Sequence, residues 1–186
     1  MAQVSILGHD MAIEYRADGD EALLEGGVRA MVDLINGRGP WLPDYEKAFT
    51  GIDKIVFFRG SVEVNGWQMS RPCCDEDDRI FYWEVGEFLR NMDADVHGNT
   101  FFHDCWHLVQ YKAAGNQYAY KLVDQVNREV DAINHQIGVA HLVGCSTSEI
   151  KFLEDFRDDQ RLIVARLDEG VNQLAPHKPG EITAQV

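Results

Sequence analysis

Basic residues are scarce in this chain: 17 lysines and arginines stand against 31 aspartates and glutamates, a net charge of −14. A surface this acidic repels phosphate backbones, and no lysine–arginine cluster relieves it, so nucleic acid is not an expected partner. Long apolar runs are missing too. No segment approaches the roughly 20 apolar residues that cross a bilayer. The first residues alternate apolar and polar, with no basic start leading into an apolar run. A membrane partner is therefore not expected, and the chain reads as cytoplasmic. Cysteine is sparse, with four residues in all. Cys73 and Cys74 are adjacent, a poor arrangement for one bridge, while Cys105 and Cys145 fall inside helical patterns. All four read as reduced thiols. No CxxC spacing occurs, which removes a cysteine-based zinc site, and there is no internal repeat or low-complexity block.

What is present is ordinary globular material. Hydrophobic residues make up 45% of the 186 and charged residues 26%, enough to bury one core without disulfide or metal staples. One domain is expected over residues 1–174. A polar tail holding Pro176 and Pro179 follows at 175–186, and is expected to be flexible.

Strand signals come first. Residues 4–15 read as a strand or hairpin. From Asp20 the apolar positions Leu23, Leu24, Gly27, Val28, Met31, Val32 and Ile35 recur at threes and fours, a helix that the run Asn36-Gly37-Arg38-Gly39-Pro40 stops. Residues 40–51 form a connection anchored by Trp41, Tyr45 and Phe49. Residues 52–58 are an apolar strand. Val62 and Val64 then alternate with polar residues up to Asn65-Gly66, a hairpin signal. A loop with Pro72 and the acidic residues 75–78 leads to a further strand at 80–83. Helices fill the rest: 99–114, 118–143 and about 147–169, the last opened by the capping box Ser146-Thr147-Ser148-Glu149. Strands first and helices after give an α+β fold, a small mixed sheet with a helix followed by a helical half.

The most informative stretch is Phe101-Phe102-His103-Asp104-Cys105-Trp106-His107. Histidines at i and i+4 lie one turn apart on one helix face, so their imidazoles can converge on a cation. Zinc takes imidazole nitrogen, and a catalytic site uses three protein ligands plus water. Asp104 lies about 100° further round, where an acid reaches the metal's water. On the next helix Glu129 stands at the edge of the apolar stripe with Leu122 and Ile133. A carboxylate there is costly unless paired or bound to a cation, and it completes a His₂Glu set. The plainer alternatives are a solvated face for the histidines and a salt bridge or edge position for Glu129.

These residues resemble a family. His103-Asp104-x-x-His107-x-x-Gln110-Tyr111-x-x-x-Gly115 resembles the HExxH helix of zincin peptidases. Glu129-x-x-Ala132-x-x-x-Gln136 resembles the glutamate helix of gluzincins, and Leu142-Val143-Gly144 with Glu149, Ile150 and Leu153 has the look of their compact members. The likeness covers about residues 50–155. It implies a zincin-like fold, with an HxxxH helix and a glutamate helix in the C-terminal half. It also implies Zn²⁺ held by His103, His107 and Glu129, and hydrolysis of a peptide or protein substrate. Asp104 then stands in the general-base position, and Tyr111 is the nearest phenol for an oxyanion. The strand at 80–83 becomes the edge strand that receives an extended peptide. One departure matters: zincins carry glutamate where this chain has Asp104, which withdraws the carboxylate by about 1–1.5 Å, against a working reach of about 2.6–3.2 Å.

Three further readings stay open. The first is a catalytically weak or inactive pseudo-peptidase, and the second an acidic protein-binding module of the inhibitor or immunity kind. The third takes His103-Asp104 as the dipeptide of HD-type metal-dependent phosphohydrolases. Of the other histidines, His97 precedes the metal helix in a Gly-containing loop and can approach the site. His135 faces away from Glu129, and His141 suits its helix C-terminus. Residues 75–78 lack calcium-loop spacing and read as a solvated turn.

Overall fold

The computed structural model describes residues 2–16, 20–39, 42, 45–116 and 122–173, with side chains to residue 167. Trp41, the expected helix start at Tyr118 and the tail at 175–186 lie outside these residues.

Strands β1 (Ala2–Ile6) and β2 (His9–Tyr15) form the N-terminal antiparallel hairpin, in register Ala2↔Ile13 to Ile6↔His9. Its turn uses Leu7 and Gly8, both at positive φ, the two-residue geometry whose twist matches the flanking strands. Helix α1 (Glu21–Arg38) buries Leu24, Gly27, Val28, Met31, Val32 and Ile35, nearly the whole apolar set read from the spacing. The connection after it contains one helical turn, α2 (Glu46–Phe49). There Tyr45 packs edge-on against Phe102 at 5.3 Å, and Phe49 lies against the same ring at 5.4 Å.

β3 (Lys54–Phe58) runs parallel to β2 and to β7 (Ile80–Glu84), and β6 (Cys73–Asp75) closes the sheet antiparallel to β7. The order is β1-β2-β3-β7-β6. β3 and β7 read KIVFF and IFYWE because both of their faces are covered. Ile55, Phe57, Phe81 and Trp83 enter the main core under the helices. Val56, Phe58 and Tyr82 point the other way, where the small hairpin β4 (Val62–Val64) and β5 (Trp67–Met69) caps them with Val62 and Val64. Asn65 and Gly66 both take positive φ in that hairpin's turn, as their sequence signals.

The topology corrects one expectation. Residues 80–83 are not an edge strand: β7 lies between β3 and β6, and the edge on that side is β6. The apolar side chains on both faces of β7 are the physical reason. β6 falls in the segment expected to be loop, since three residues are too few to show alternation.

The helical half follows: α3 (Val85–Arg90), α4 (Ala94–Ala113), α5 (Leu122–Val143) and α6 (Thr147–Gln173). α4 starts before the expected Asn99. Gly98 does not break it, because that residue packs against Ile35 and Met31 of α1. Cys145 falls between α5 and α6 rather than inside a helix, and all four cysteines are free thiols. The capping box forms reciprocally: the Ser146 N–H donates to Glu149 Oε2 at 2.7 Å, and the Glu149 N–H donates to Ser146 Oγ at 3.3 Å. Among the described residues no helix is long and apolar enough to cross a membrane.

Candidate metal centre

α4 carries two faces with opposite jobs. Phe101, Phe102, Cys105 and Leu108 are fully buried against the sheet and α1. His103, Asp104 and His107 turn instead to a cavity of about 700 Å³, bounded by α5 at Glu129, by β6 at Cys73 and Cys74, and by Phe156 of α6. The rigid inner face therefore sets the position of the outer one.

The three expected ligands meet in this cavity. His103 Nε2 lies 3.4 Å from Glu129 Oε2, and His107 Nε2 lies 3.4 Å from Glu129 Oε1. All three candidate donor atoms fall within 4.8 Å of one another. Zinc holds such ligands at about 2.0–2.2 Å in a tetrahedron, whose edges are then about 3.3–3.5 Å. An N–H···O hydrogen bond is shorter, at about 2.7–3.2 Å. The two separations match the edge of a tetrahedral ligand set and are also those of an imidazole–carboxylate ion pair; the donor set of two imidazoles and one carboxylate is one that zinc accepts.

The other ring nitrogens explain why both Nε2 atoms face inward. His107 Nδ1 donates to Gln110 Oε1 at 2.8 Å. That amide cannot be turned round, because Gln110 Nε2 donates to the Arg128 carbonyl at 3.0 Å and to Asp131 Oδ2 at 2.7 Å. Trp106 Nε1 donates to the same Asp131 oxygen at 2.9 Å. His103 Nδ1 likewise donates to Gln136 Oε1 at 2.9 Å, and Gln136 Nε2 leans on the Asn99 carbonyl at 3.4 Å. In its neutral form each imidazole thereby carries its proton on Nδ1 and presents Nε2 to Glu129. Replacing Gln136 with leucine removes the acceptor for His103. Zinc affinity is expected to fall about 10–100-fold, read by competition with a chromophoric chelator.

Without metal the cluster is an ion pair. Desolvation works to raise the Glu129 carboxyl, but the facing His103 and His107 imidazoles overcome it and hold the group well below the usual carboxylate range. Desolvation works to lower His107, and Glu129, Asp104 and Gln110 outweigh it, so this imidazole is raised. A depressed Glu129 contributes stability above its unfolded value near 4.5, lost as pH falls towards its folded value. A raised His107 contributes below its unfolded 6.5, lost as pH rises through its folded value. The contribution in the chelated protein is therefore fullest between these two values. Thermal melts should separate wild type from Glu129→Gln most near pH 5.5 and progressively less above pH 7. The maximum is about 1 kcal/mol, discounted because Glu129 is half-exposed. A bound zinc ion would stabilise in the opposite sense, more as pH rises, because histidine ligands must be neutral.

Asp104 lines the same cavity. Burial pushes its carboxyl up, while the neighbouring His103 and His107 pull it back. Tyr111 does not join the site: its hydroxyl donates to Asp77 Oδ1 at 2.9 Å, and the ring is not among the cavity's lining residues. One turn beyond His107, α4 has already passed the cavity and faces the turn between β6 and β7. His97 is corrected as well. It lies inside α4, buried, stacked on Phe88 at 3.9 Å and donating through Nε2 to the Phe88 carbonyl. His135 stacks on Trp106 at 4.0 Å, away from Glu129. Asp75 is not solvated: it is buried, and its Oδ1 accepts from the Asp77 and Asp78 N–H groups, which organises the acidic turn.

Gln110, Gln136 and Asp131, which position the imidazoles, and Arg71, a cationic residue lining the cavity, have no role that sequence alone assigns. Gln110 at i+3 from His107 carried a usable signal, since it shares that helix face. A second acidic group, Asp95, Cys145 and Glu149, also brings its donor atoms together. There the Glu149 carboxylate is already engaged in the capping box, burial pushes the Cys145 thiol up to about 12, and the N-terminus of α6 disfavours a cation.

Compared with known proteins, the chain matches no protein-family model, no curated protein and no solved structure.

Proposed function

We propose that this protein is a zinc-dependent hydrolase of the zincin type, acting on peptide bonds. The observation that carries the reading is the pair of 3.4 Å separations from His103 and His107 to the two oxygens of Glu129, with both Nδ1 atoms tied to glutamine amides. The arrangement around them supports it: an HxxxH helix, a glutamate helix packed on it, and a mixed sheet whose antiparallel edge strand β6 lies beside α4.

His103, His107 and Glu129 would hold the ion, which supplies Lewis acidity and lowers the pKa of a water it binds. Asp104, in the same cavity and raised by burial, takes the proton of the attacking water and passes it to the leaving amine. Arg71, a cation lining the same cavity, would stabilise a developing oxyanion in place of Tyr111. Among the described residues β6 pairs with β7 alone, and an extended peptide would add at its other edge as a further strand. Four free thiols suit a reducing compartment such as the cytoplasm.

The HD-type phosphohydrolase reading is disfavoured by the grouping itself, which joins His103 to His107 and Glu129 rather than to Asp104. The test is cleavage of a quenched peptide library by zinc-loaded protein. Hydrolysis is expected, lost on chelation and restored by about one equivalent of zinc. Folded, zinc-loaded protein that cleaves no peptide would overturn the catalytic reading and leave a metal-binding module. Phosphoester cleavage with manganese would restore the HD-type alternative.

A further inference from the structure

The metal cavity holds more acid than the ligand set and the base account for. Beside Glu129 and Asp104 it is lined by Glu76 and Glu87, against a single guanidinium, Arg71. Glu87 stands in the first turn of α3, partly exposed, and its carboxylate has no ion pair among the described residues. The mouth of the cavity is apolar. Exposed apolar side chains scattered singly are ordinary, but four of the eight large ones exposed among the described residues gather at this one opening. Leu122, 57% exposed, and Phe156, 42%, line the cavity itself. Phe152 stacks on Phe156 at 6.4 Å. Trp67 of β5, 75% exposed, lines a shallow pocket that shares Met69, Cys73, Cys74 and Glu76 with the metal cavity.

β6 divides this opening into two sides. Cys74 packs with the main core under the helices, and Cys73 with the cluster under the β4–β5 hairpin. A strand added along β6 sends alternate side chains to these two sides. On the helix side they meet the carboxylates, beside Leu122 and Phe156. On the hairpin side they meet Trp67 and Met69. We propose that the opening docks an extended polypeptide segment in which lysine or arginine alternates with large apolar residues. The basic side chains match the helix side at both ends, their charges against Glu76 and Glu87 and their alkyl stems against Leu122 and Phe156. The apolar ones cover Trp67. An acidic segment is repelled by the same lining and by the net charge of −14. As a statement about what is cleaved, the proposal rests on the hydrolase reading; as a statement about what docks, it needs no metal.

Fluorescence anisotropy of labelled hexapeptides on the chelated full-length protein reads docking without catalysis. Alternating Leu-Lys is expected to bind about tenfold more tightly than alternating Leu-Glu or Ser-Lys, and to weaken as salt rises. Glu87→Gln keeps shape, removes one charge and should weaken Leu-Lys about threefold. Asp10→Asn removes the same charge from an exposed position of β2, three strands from β6. That is about 14 Å, beyond the Debye length, so it should change binding by less than about 1.5-fold. Trp67→Ala, at an exposed position where folding is not at stake, should weaken Leu-Lys and spare Ser-Lys. Equal binding of Leu-Lys and Leu-Glu, Ser-Lys as tight as Leu-Lys, equal effects of Glu87→Gln and Asp10→Asn, or no effect of Trp67→Ala would each overturn the proposal. If Leu-Lys docks as expected but zinc-loaded protein cleaves no peptide, the docking surface stands and the hydrolase reading falls. If Leu-Lys and Leu-Glu peptides are cleaved with equal kcat/KM, the docking surface falls and the hydrolase reading stands.

Discussion

Elemental analysis of tag-free protein incubated with zinc and desalted should find about one zinc per chain, and none in the His103→Ala, His107→Ala double variant. The argument is geometric. Both Nε2 atoms stand at the spacing of tetrahedral ligands from one carboxylate, and both rings are locked by their Nδ1 hydrogen bonds. Binding therefore requires little reorganisation. Losing two of three ligands should lower affinity by more than about a thousandfold, well beyond the roughly 10–100-fold of one supporting residue. The variant is expected to fold, because the buried side of α4, with Phe101, Phe102, Cys105 and Leu108, is untouched and alanine favours helix. A near-UV circular dichroism spectrum checks this. Zinc retained by a folded double variant would move the ion to another group, and Asp95, Cys145 and Glu149 would be the first to examine.

What could be read from sequence was local. The i, i+4 histidine pair, the apolar repeat of α1, the Asn65-Gly66 turn and the capping box at Ser146 each depend on residues within a few positions of one another. Each appears in the structure much as the spacing implies. Glu129 was reachable as well, because a carboxylate bordering an apolar stripe stands out by its desolvation cost.

The misreadings share a different cause. Whether residues 80–83 form an edge or an interior strand depends on what pairs with them. Their partner β6 is three residues long, with no pattern of its own. His97 reads as loop in sequence because a glycine follows it, yet Gly98 is a buried position of α4 beside Ile35 and Met31 of α1. Tyr111 fails as a site residue because its partner, Asp77, sits in a turn 34 positions earlier. Gln136, 33 positions after His103, was visible only as part of a motif. Such pairings are set by the packing of α4 on β6 and α5, which no short window contains.

On the proposed hydrolase reading Asp104 is the general base, and two substitutions test that role. Asp104→Asn keeps shape and removes the base. Zinc content should be unchanged, because Asp104 is not among the three grouped ligands, and kcat should fall about 10²–10⁴-fold. KM should move little, since a base acting on water contributes in the transition state rather than in binding. Asp104→Glu restores the residue that the zincin pattern carries and should retain activity within about tenfold of wild type. The pH profile adds a readout that a purely structural role would not move. If Asp104 acts as the base, the acidic limb of kcat/KM should include its titration, which burial raises and His103 and His107 lower. In Asp104→Asn that limb should flatten, leaving only the loss of metal at low pH. If both variants hold zinc and cleave peptides at wild-type rates with the limb intact, Asp104 is a bystander and the base is another group in the cavity.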